Sequence, residues 1–193
     1  LQVSSLLLFS LGNLLTYDNL EIKNVAQFDT VNKIFLMGMT FFNVIIGVFW
    51  AEISSSKALK DKEKLFKTKN QLLFISLLFS IGTCIVAYFM PLIVPFWTKG
   101  IINIKLNELF SFVLLAIIQY FAYAGATVLN AFEDLKGQVV LSLLAAIFII
   151  PLAKFFFKLG IGIGSVPLSS AILILPTLFY VIFKSHKCIK KLS

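Results

Sequence analysis

Charged residues are absent from six stretches of this chain: Leu1–Tyr17, Ile34–Ala51, Asn70–Thr98, Leu109–Phe132, Gly137–Ala153 and Leu159–Phe183, runs of 17 to 29 residues. A hydrocarbon core of roughly 30 Å takes about 20 apolar residues as a helix, and it tolerates no unpaired backbone polar group. The pattern therefore predicts an all-α integral membrane protein with six transmembrane helices, near Val3–Thr16, Phe28–Trp50, Gln71–Val94, Asn107–Ala131, Gln138–Phe157 and Pro167–Lys184. Asp18–Gln27 reads as a short connection. Ala51–Asn70 is the long polar segment, where Ala58, Leu59, Leu65 and Phe66 among lysines predict a helix lying on the membrane surface. Pro91, Pro95 and Trp97 predict a helix stop with an interfacial aromatic. Glu133–Gly137 reads as a tight turn, and Gly160, Gly162 and Gly164 as a flexible hairpin, since GIGIG lacks the lysine and the preceding strand of a phosphate loop.

Composition agrees with this pattern. A mean hydropathy of +0.96 with 59% hydrophobic residues exceeds what a soluble domain carries. Charge adds direction. All 17 basic residues are lysines, and eleven of them fall at positions 57–69, at 136 and at 184–191. Six crossings put those segments on one side, with Lys23, Lys99, Lys105, Lys154 and Lys158 near the other. By the positive-inside rule the lysine-rich side is cytoplasmic, as are both ends of the chain. Membrane insertion thus accounts for the basic balance, and nucleic-acid binding is not expected. Cys84 and Cys188 have no metal-ligand spacing and lie in different parts of this topology, so neither a disulfide nor a metal is expected. The chain opens inside an apolar run without Met or a basic leader, which reads as a piece of a longer protein.

An ionisable or amide side chain inside a bilayer is costly unless it meets a cavity or a partner, which makes its position informative. At about 100° per residue from Asp29, Asn32 falls near about 300°, Lys33 about 40°, Thr40 about 20°, Asn43 about 320° and Gly47 about 0°. One polar stripe thus runs down the second helix, opening on the i, i+4 pair Asp29 and Lys33. Relative to Glu108 on the fourth helix, Ser111, Gln119, Tyr123, Ala126 and Asn130 fall within about 60° of one line. Gln2, Ser5, Gly12, Asn13 and Thr16 share a face of the first. Three such faces suit the wall of a transport pathway, with Asn32, Asn43, Gln119 and Asn130 on one cavity and Val44, Val48 and Leu115 turned to lipid or neighbouring helices. The plain alternative is helix packing, which small residues permit. Catalytic constellations are poor: His186 lies beyond the last predicted helix in a solvated tail, and the adjacent Glu133 and Asp134 cannot face one centre from one helix.

Asp18–Asn19 followed by Val25-Ala26-Gln27-Phe28-Asp29-Thr30-Val31-Asn32-Lys33-Ile34-Phe35 resembles the second half of Wzx-type polysaccharide flippases of the multidrug/oligosaccharidyl-lipid/polysaccharide superfamily. Phe49-Trp50-Ala51-Glu52, Lys60-Asp61, Pro95-Phe96-Trp97-Thr98, and Asn130 with Leu135-Lys136-Gly137-Gln138 extend the match. The family favours Tyr where this chain has Phe28, and Gly where it has Ala131. The resemblance implies that residues 1–193 form the C-terminal six-helix lobe of a MATE-like twelve-helix transporter whose N-terminal lobe is not in this sequence. It implies flipping of undecaprenyl-diphosphate-linked oligosaccharide repeat units across the bacterial inner membrane for O-antigen or capsule, beside the polysaccharide polymerase machinery. No cofactor is implied beyond coupling to H⁺ or Na⁺. The pathway residues would be Asp18, Asp29, Asn32, Lys33, Asn43, Gln119 and Asn130, with Lys33 a point charge for phosphate and Asp29 its partner or an ion site.

Two rivals differ in what they require. A multidrug exporter of the same superfamily needs a more aromatic, acidic cavity and no cation, whereas a membrane transferase needs clustered His, Asp or Arg, which this chain lacks. Topology is checked by accessibility labelling in intact cells. Single cysteines introduced at position 103 should react from outside, and those at position 62 only after permeabilisation; labelling of position 62 from outside overturns the orientation.

Overall fold

A computed structural model of the chain describes residues 12–192. Residues 12–19 are helical and are called α1; most of the predicted first helix, with Gln2 and Ser5, lies outside the described residues. Then follow α2 (Ile22–Ala58), α3 (Lys62–Trp97), α4 (Leu106–Ala131), α5 (Lys136–Lys158), a 3₁₀ turn (Gly162–Gly164) and α6 (Ser165–Lys190). Among the described residues five helices, α2 to α6, are long and apolar enough to cross a bilayer.

The predicted connection Asp18–Gln27 shrinks to Leu20 and Glu21, because α1 runs through Asn19 and α2 already opens at Ile22; three further ends differ from expectation, each for a local reason. No surface helix fills Ala51–Asn70. Instead α2 and α3 run on and turn at Leu59–Asp61, because Asp61 caps α3 by accepting from the Lys64 N–H at 2.9 Å and Ile53 and Leu65, beyond the apolar spans, keep packing in one cluster with Leu72. At about 1.5 Å per residue the 37 residues of α2 measure roughly 55 Å, well beyond a hydrocarbon core. Neither proline stops α3: both lie inside the helix, where Ala87, Met90 and Val94 are buried. Neighbouring polar groups make such breaks tolerable within a membrane. The stop comes from Lys99 and Gly100, both at positive φ, with the Gly100 N–H reaching the Pro95 carbonyl at 2.7 Å, a left-handed helix end. Lys60 and Glu133 end α2 and α4 the same way, at φ 55 and 61. Finally α6 continues through His186 to Lys190. The expected solvated tail is helix, and His186 packs edge-on against Phe66 at 5.3 Å.

In the bundle α4 is the hub, packing against α6, α3 and α2, while α5 packs on α6. Three apolar clusters stack along it. Phe28, Val31, Met90, Leu109, Phe112 and Val166 fill the charge-poor end, Met39, Phe42, Ala116 and Tyr120 the middle, and Ile53, Leu65, Leu72, Ala124, Val128 and Ile189 the lysine-rich end. Close approach of α4 and α6 depends on Gly125, where a Cβ would stand 2.7 Å from Val181 Cγ2 and 3.2 Å from the Val181 backbone. Gly137 gives the same freedom to the Tyr180 ring at the start of α5.

Gly125→Ala should therefore cost about 1–3 kcal/mol through overpacking, read as a lower thermal unfolding midpoint in detergent. Adding Val181→Ala should recover part of the loss, because it removes the side chain half of the clash; no recovery would place the conflict on the backbone alone.

Candidate functional site

The charge-poor end of α2 carries the one ion pair that lies on the polar stripe. Asp29 accepts from Lys33 Nζ at 2.5 Å, one turn on, and from Asn13 Nδ2 of α1 at 3.4 Å. Among the described residues the buried Asn13 Oδ1 has no partner, so a further acceptor lies beside the carboxylate. Lys33 is 63% exposed at its side chain, and such a pair contributes little to stability. Asp18, exposed in the last turn of α1, does not join this group.

Further along, α2 has two distinct sides. Val31, Phe42, Phe28 and Met39 are buried and cluster between about 200° and 280° from Asp29, facing α4. Lys33, Thr40, Asn43 and Gly47 are exposed, and a Cβ at Gly47 would meet nothing within 4 Å. Asn32 is half-buried at the edge. Among the described residues the stripe is therefore not spent on packing. Val44 and Val48, at 69% and 70% exposure, lie beside it on the same outward side rather than opposite.

On α4 the contacts with neighbours define where the polar line falls. Ala116 and Tyr120 meet α2, with the Tyr120 ring 4.8 Å from that of Phe42. Gly125 meets Val181, and Ser111 meets Gly164, on the α6 side. Counting about 100° per residue from Glu108, the first contacts lie near about 80–120° and the second near about 260–300°. The sector between, around zero, holds Gln119, Tyr123, Ala126 and Asn130, all half-buried. At its lysine-rich end Asn130 Oδ1 accepts from Gln138 Nε2 at 3.4 Å. Asn130 thus serves the α4–α5 corner as well as the polar line, and Leu115 is half-buried on the same sector's edge. Glu108 is engaged at the start of α4, its Oε2 accepting from the Lys105 N–H at 3.0 Å.

A fourth polar line, beyond the three that periodicity singles out, runs down α3. Ser76, Ser80 and Thr83 recur along α3; Ser76 Oγ donates to the Leu72 and Tyr120 carbonyls, Ser80 Oγ to the Ser76 carbonyl, and Thr83 Oγ1 meets the Tyr120 hydroxyl at 3.0 Å. Its spacing was visible, but its hydroxyls are consumed inside the bundle. Beside it a cavity of about 370 Å³ opens between α2, α3 and α4, lined by Phe35, Gly38, Phe79, Gly82, Thr83 and Tyr120. Glu133 and Asp134 prove to be staples: Glu133 pairs with Lys57 at 3.6 Å and Asp134 with Lys184 at 3.1 Å. Among the described residues no three His, Cys, Asp or Glu side chains converge as a metal site would require.

The fold has a solved counterpart. The structure superposes on the crystal structure of a point mutant of MATE with a TM-score of 0.83 at 13% sequence identity, covering 99% of this chain and 44% of that one. At that identity the likeness is one of fold, and the chain spans less than half the length of its counterpart. No protein-family model matches the sequence, and no curated protein matches it significantly. The chain is a multi-pass membrane protein with a MATE-like fold.

Water access should separate the polar lines of α2 and α4 from the exposed apolar face of α3 at Ile81 and Ile85. With Cys84 and Cys188 replaced by Ser, cysteines at positions 43 and 119 of the full-length protein should react roughly tenfold faster with a hydrophilic thiol reagent than cysteines at positions 81 and 85, because the thiolate that reacts requires water. Equal rates would mean that the stripe is not wetted.

Proposed function

We propose that this chain is one lobe of an alternating-access transporter of the multidrug/oligosaccharidyl-lipid/polysaccharide superfamily, and that its cargo is an undecaprenyl-diphosphate-linked oligosaccharide bound for the bacterial cell surface. The observation that carries the reading is the uncovered stripe of α2. Lys33, Thr40, Asn43 and Gly47 are exposed on a helix that spans the bilayer, where polar groups are costly against lipid. A water-filled space facing a second lobe removes that cost, and hydroxyl-rich cargo suits amide side chains there. Asn32, Asn43, Gln119 and Asn130 are the sugar-facing candidates, with Asp18 at the mouth.

Lys33 would supply a point charge for the diphosphate. Its ammonium is held by Asp29, so phosphate would compete with that carboxylate. A displaced Asp29, beside the unpartnered Asn13 Oδ1, is suited to take up H⁺ or Na⁺, which is how coupling would enter. The other lobe, the bilayer and the polymerase machinery complete the set of partners, and the lysine-rich end would face the cytoplasm.

One observation favours the multidrug reading instead: the cavity beside Phe35, Phe79 and Tyr120 is almost wholly apolar and aromatic, as a drug site would be. It lies on the far side of α2 from the stripe. Substitution distinguishes the two. In the full-length protein Lys33→Ala should abolish surface-glycan export at unchanged protein level, and Lys33→Arg should retain part of it. Normal export by Lys33→Ala removes Lys33 from the pathway, and increased drug sensitivity on Gly82→Leu with glycan export intact would support the exporter.

A further inference from the structure

Lys69 is unlike the other lysines. Its residue is only 8% exposed, no carboxylate lies within ion-pairing distance of it among the described residues, and the nearby acids are engaged elsewhere: Glu52 with Lys64, Glu133 with Lys57, Asp134 with Lys184. Its ammonium is not among the buried unpartnered atoms, so the stem is buried and the charged tip emerges, as long cationic side chains do.

What surrounds that tip is also basic. His186 packs on Phe66, one turn before Lys69, with ring centroids 5.3 Å apart. Lys190 is exposed one turn after His186. Lys69 and His186 thus meet across α3 and α6 with Lys190 one turn further along α6, and no ion pair among the described residues engages any of the three.

Their depth identifies the missing anion. Lys69 is the last charge before the apolar run Asn70–Thr98, and His186 follows closely on the run ending at Phe183. Both stand where apolar span gives way to polar chain, the level of lipid phosphates. The side of the bundle matters as well. Between its contacts with α3 and α6, α4 presents Phe110, Leu114, Ile117 and Phe121, exposed or half-buried and about 180–240° from Glu108. That apolar sector is opposite the polar line; Phe110 and Leu114 lie in its charge-poor half, remote from the cations, and Ile117 and Phe121 at mid-span are the part that an acyl chain entering from the lysine-rich end would reach.

We infer that the α3–α6 seam at the lysine-rich end, with Lys69, His186 and Lys190, is a binding site for the phosphate of an anionic phospholipid, independent of the transported cargo. Anionic leaflet lipids attract juxtamembrane lysines, and this seam adds a buried stem and a second helix that a bare surface lysine lacks. The site would tie α3 to α6, which otherwise meet only weakly.

The test uses the full-length protein in nanodiscs, with bound lipid read by native mass spectrometry. Phosphatidylglycerol should be retained through delipidation by the unaltered protein and by Lys69→Arg, and its apparent affinity should fall roughly tenfold or more in Lys69→Gln/Lys190→Gln. Lys60→Gln/Lys62→Gln, which removes the same charge at the α2–α3 turn, should change it less than about twofold. An equal loss in that control would make the attraction general rather than local and overturns the site. Equal retention of phosphatidylcholine would reduce it to packing, and displacement of the lipid by millimolar inorganic phosphate would make it a free-anion site; either result overturns the proposal.

Discussion

Hydrocarbon accepts no unpaired polar group, and nearly every feature of this protein follows from where its polar atoms go instead. Backbone groups are paired by making every span a helix. Hydroxyls within spans return to carbonyls one turn back, as Thr40 does to Leu36, Ser80 to Ser76 and Thr127 to Tyr123. Larger polar groups have no such local escape. An amide such as Asn43 has more donors and acceptors than a single turn of helix can satisfy, and it is exposed. Among the described residues one helix face is thus left that demands a wet or protein-lined surface.

At the lysine-rich end the same constraint acts in reverse. There α2, α3 and α6 rise beyond the hydrocarbon, and a small apolar cluster around Ile53, Leu65, Val128 and Ile189 is buried by protein rather than by lipid. Charges roof it. Lys57 donates to the Ala131 carbonyl at 3.0 Å, lies 5.5 Å from the centre of the Phe132 ring and pairs with Glu133, so one side chain satisfies the exposed end of α4. Asp134 joins the same turn to α6 through Lys184 and accepts weakly from Cys188 Sγ at 3.8 Å. A turn that carries two adjacent carboxylates is thereby fixed to two different helices.

Charge-free length made the spans legible in the sequence, because the bilayer sets that length directly. Boundaries were less legible, since extensions at the lysine-rich end such as Ala51–Ala58 and Lys62–Lys69 are polar on one face and packed on the other, and their packing partners are remote in sequence. Pro91 and Pro95 misled for a related reason: a missing N–H is a local cost, whereas burial of Met90 and Val94 is a tertiary gain that propensity does not contain. The Asp29–Lys33 pair was visible as an i, i+4 spacing. Its third member, Asn13, was not, because the approach of α1 is set by packing such as Gly12 on Phe28.

Stripes on α2 and α3 show most clearly what periodicity can and cannot decide. Both repeat small or polar residues at helical spacing, and both read alike on a helical wheel. On α3 the stripe is turned into the hub helix: Ser76 reaches the Tyr120 carbonyl and Thr83 its hydroxyl, so the polar atoms cancel in pairs. On α2 the stripe faces outward, and among the described residues none answers Asn43 or fills the space over Gly47. Residue type makes the difference intelligible after the fact. Ser and Thr can satisfy themselves against a helix backbone and therefore serve packing, whereas Asn and Lys cannot and therefore remain in need of a partner. A polar line rich in amides and charge is accordingly the stronger indicator of a pathway, and one rich in hydroxyls the stronger indicator of a helix interface.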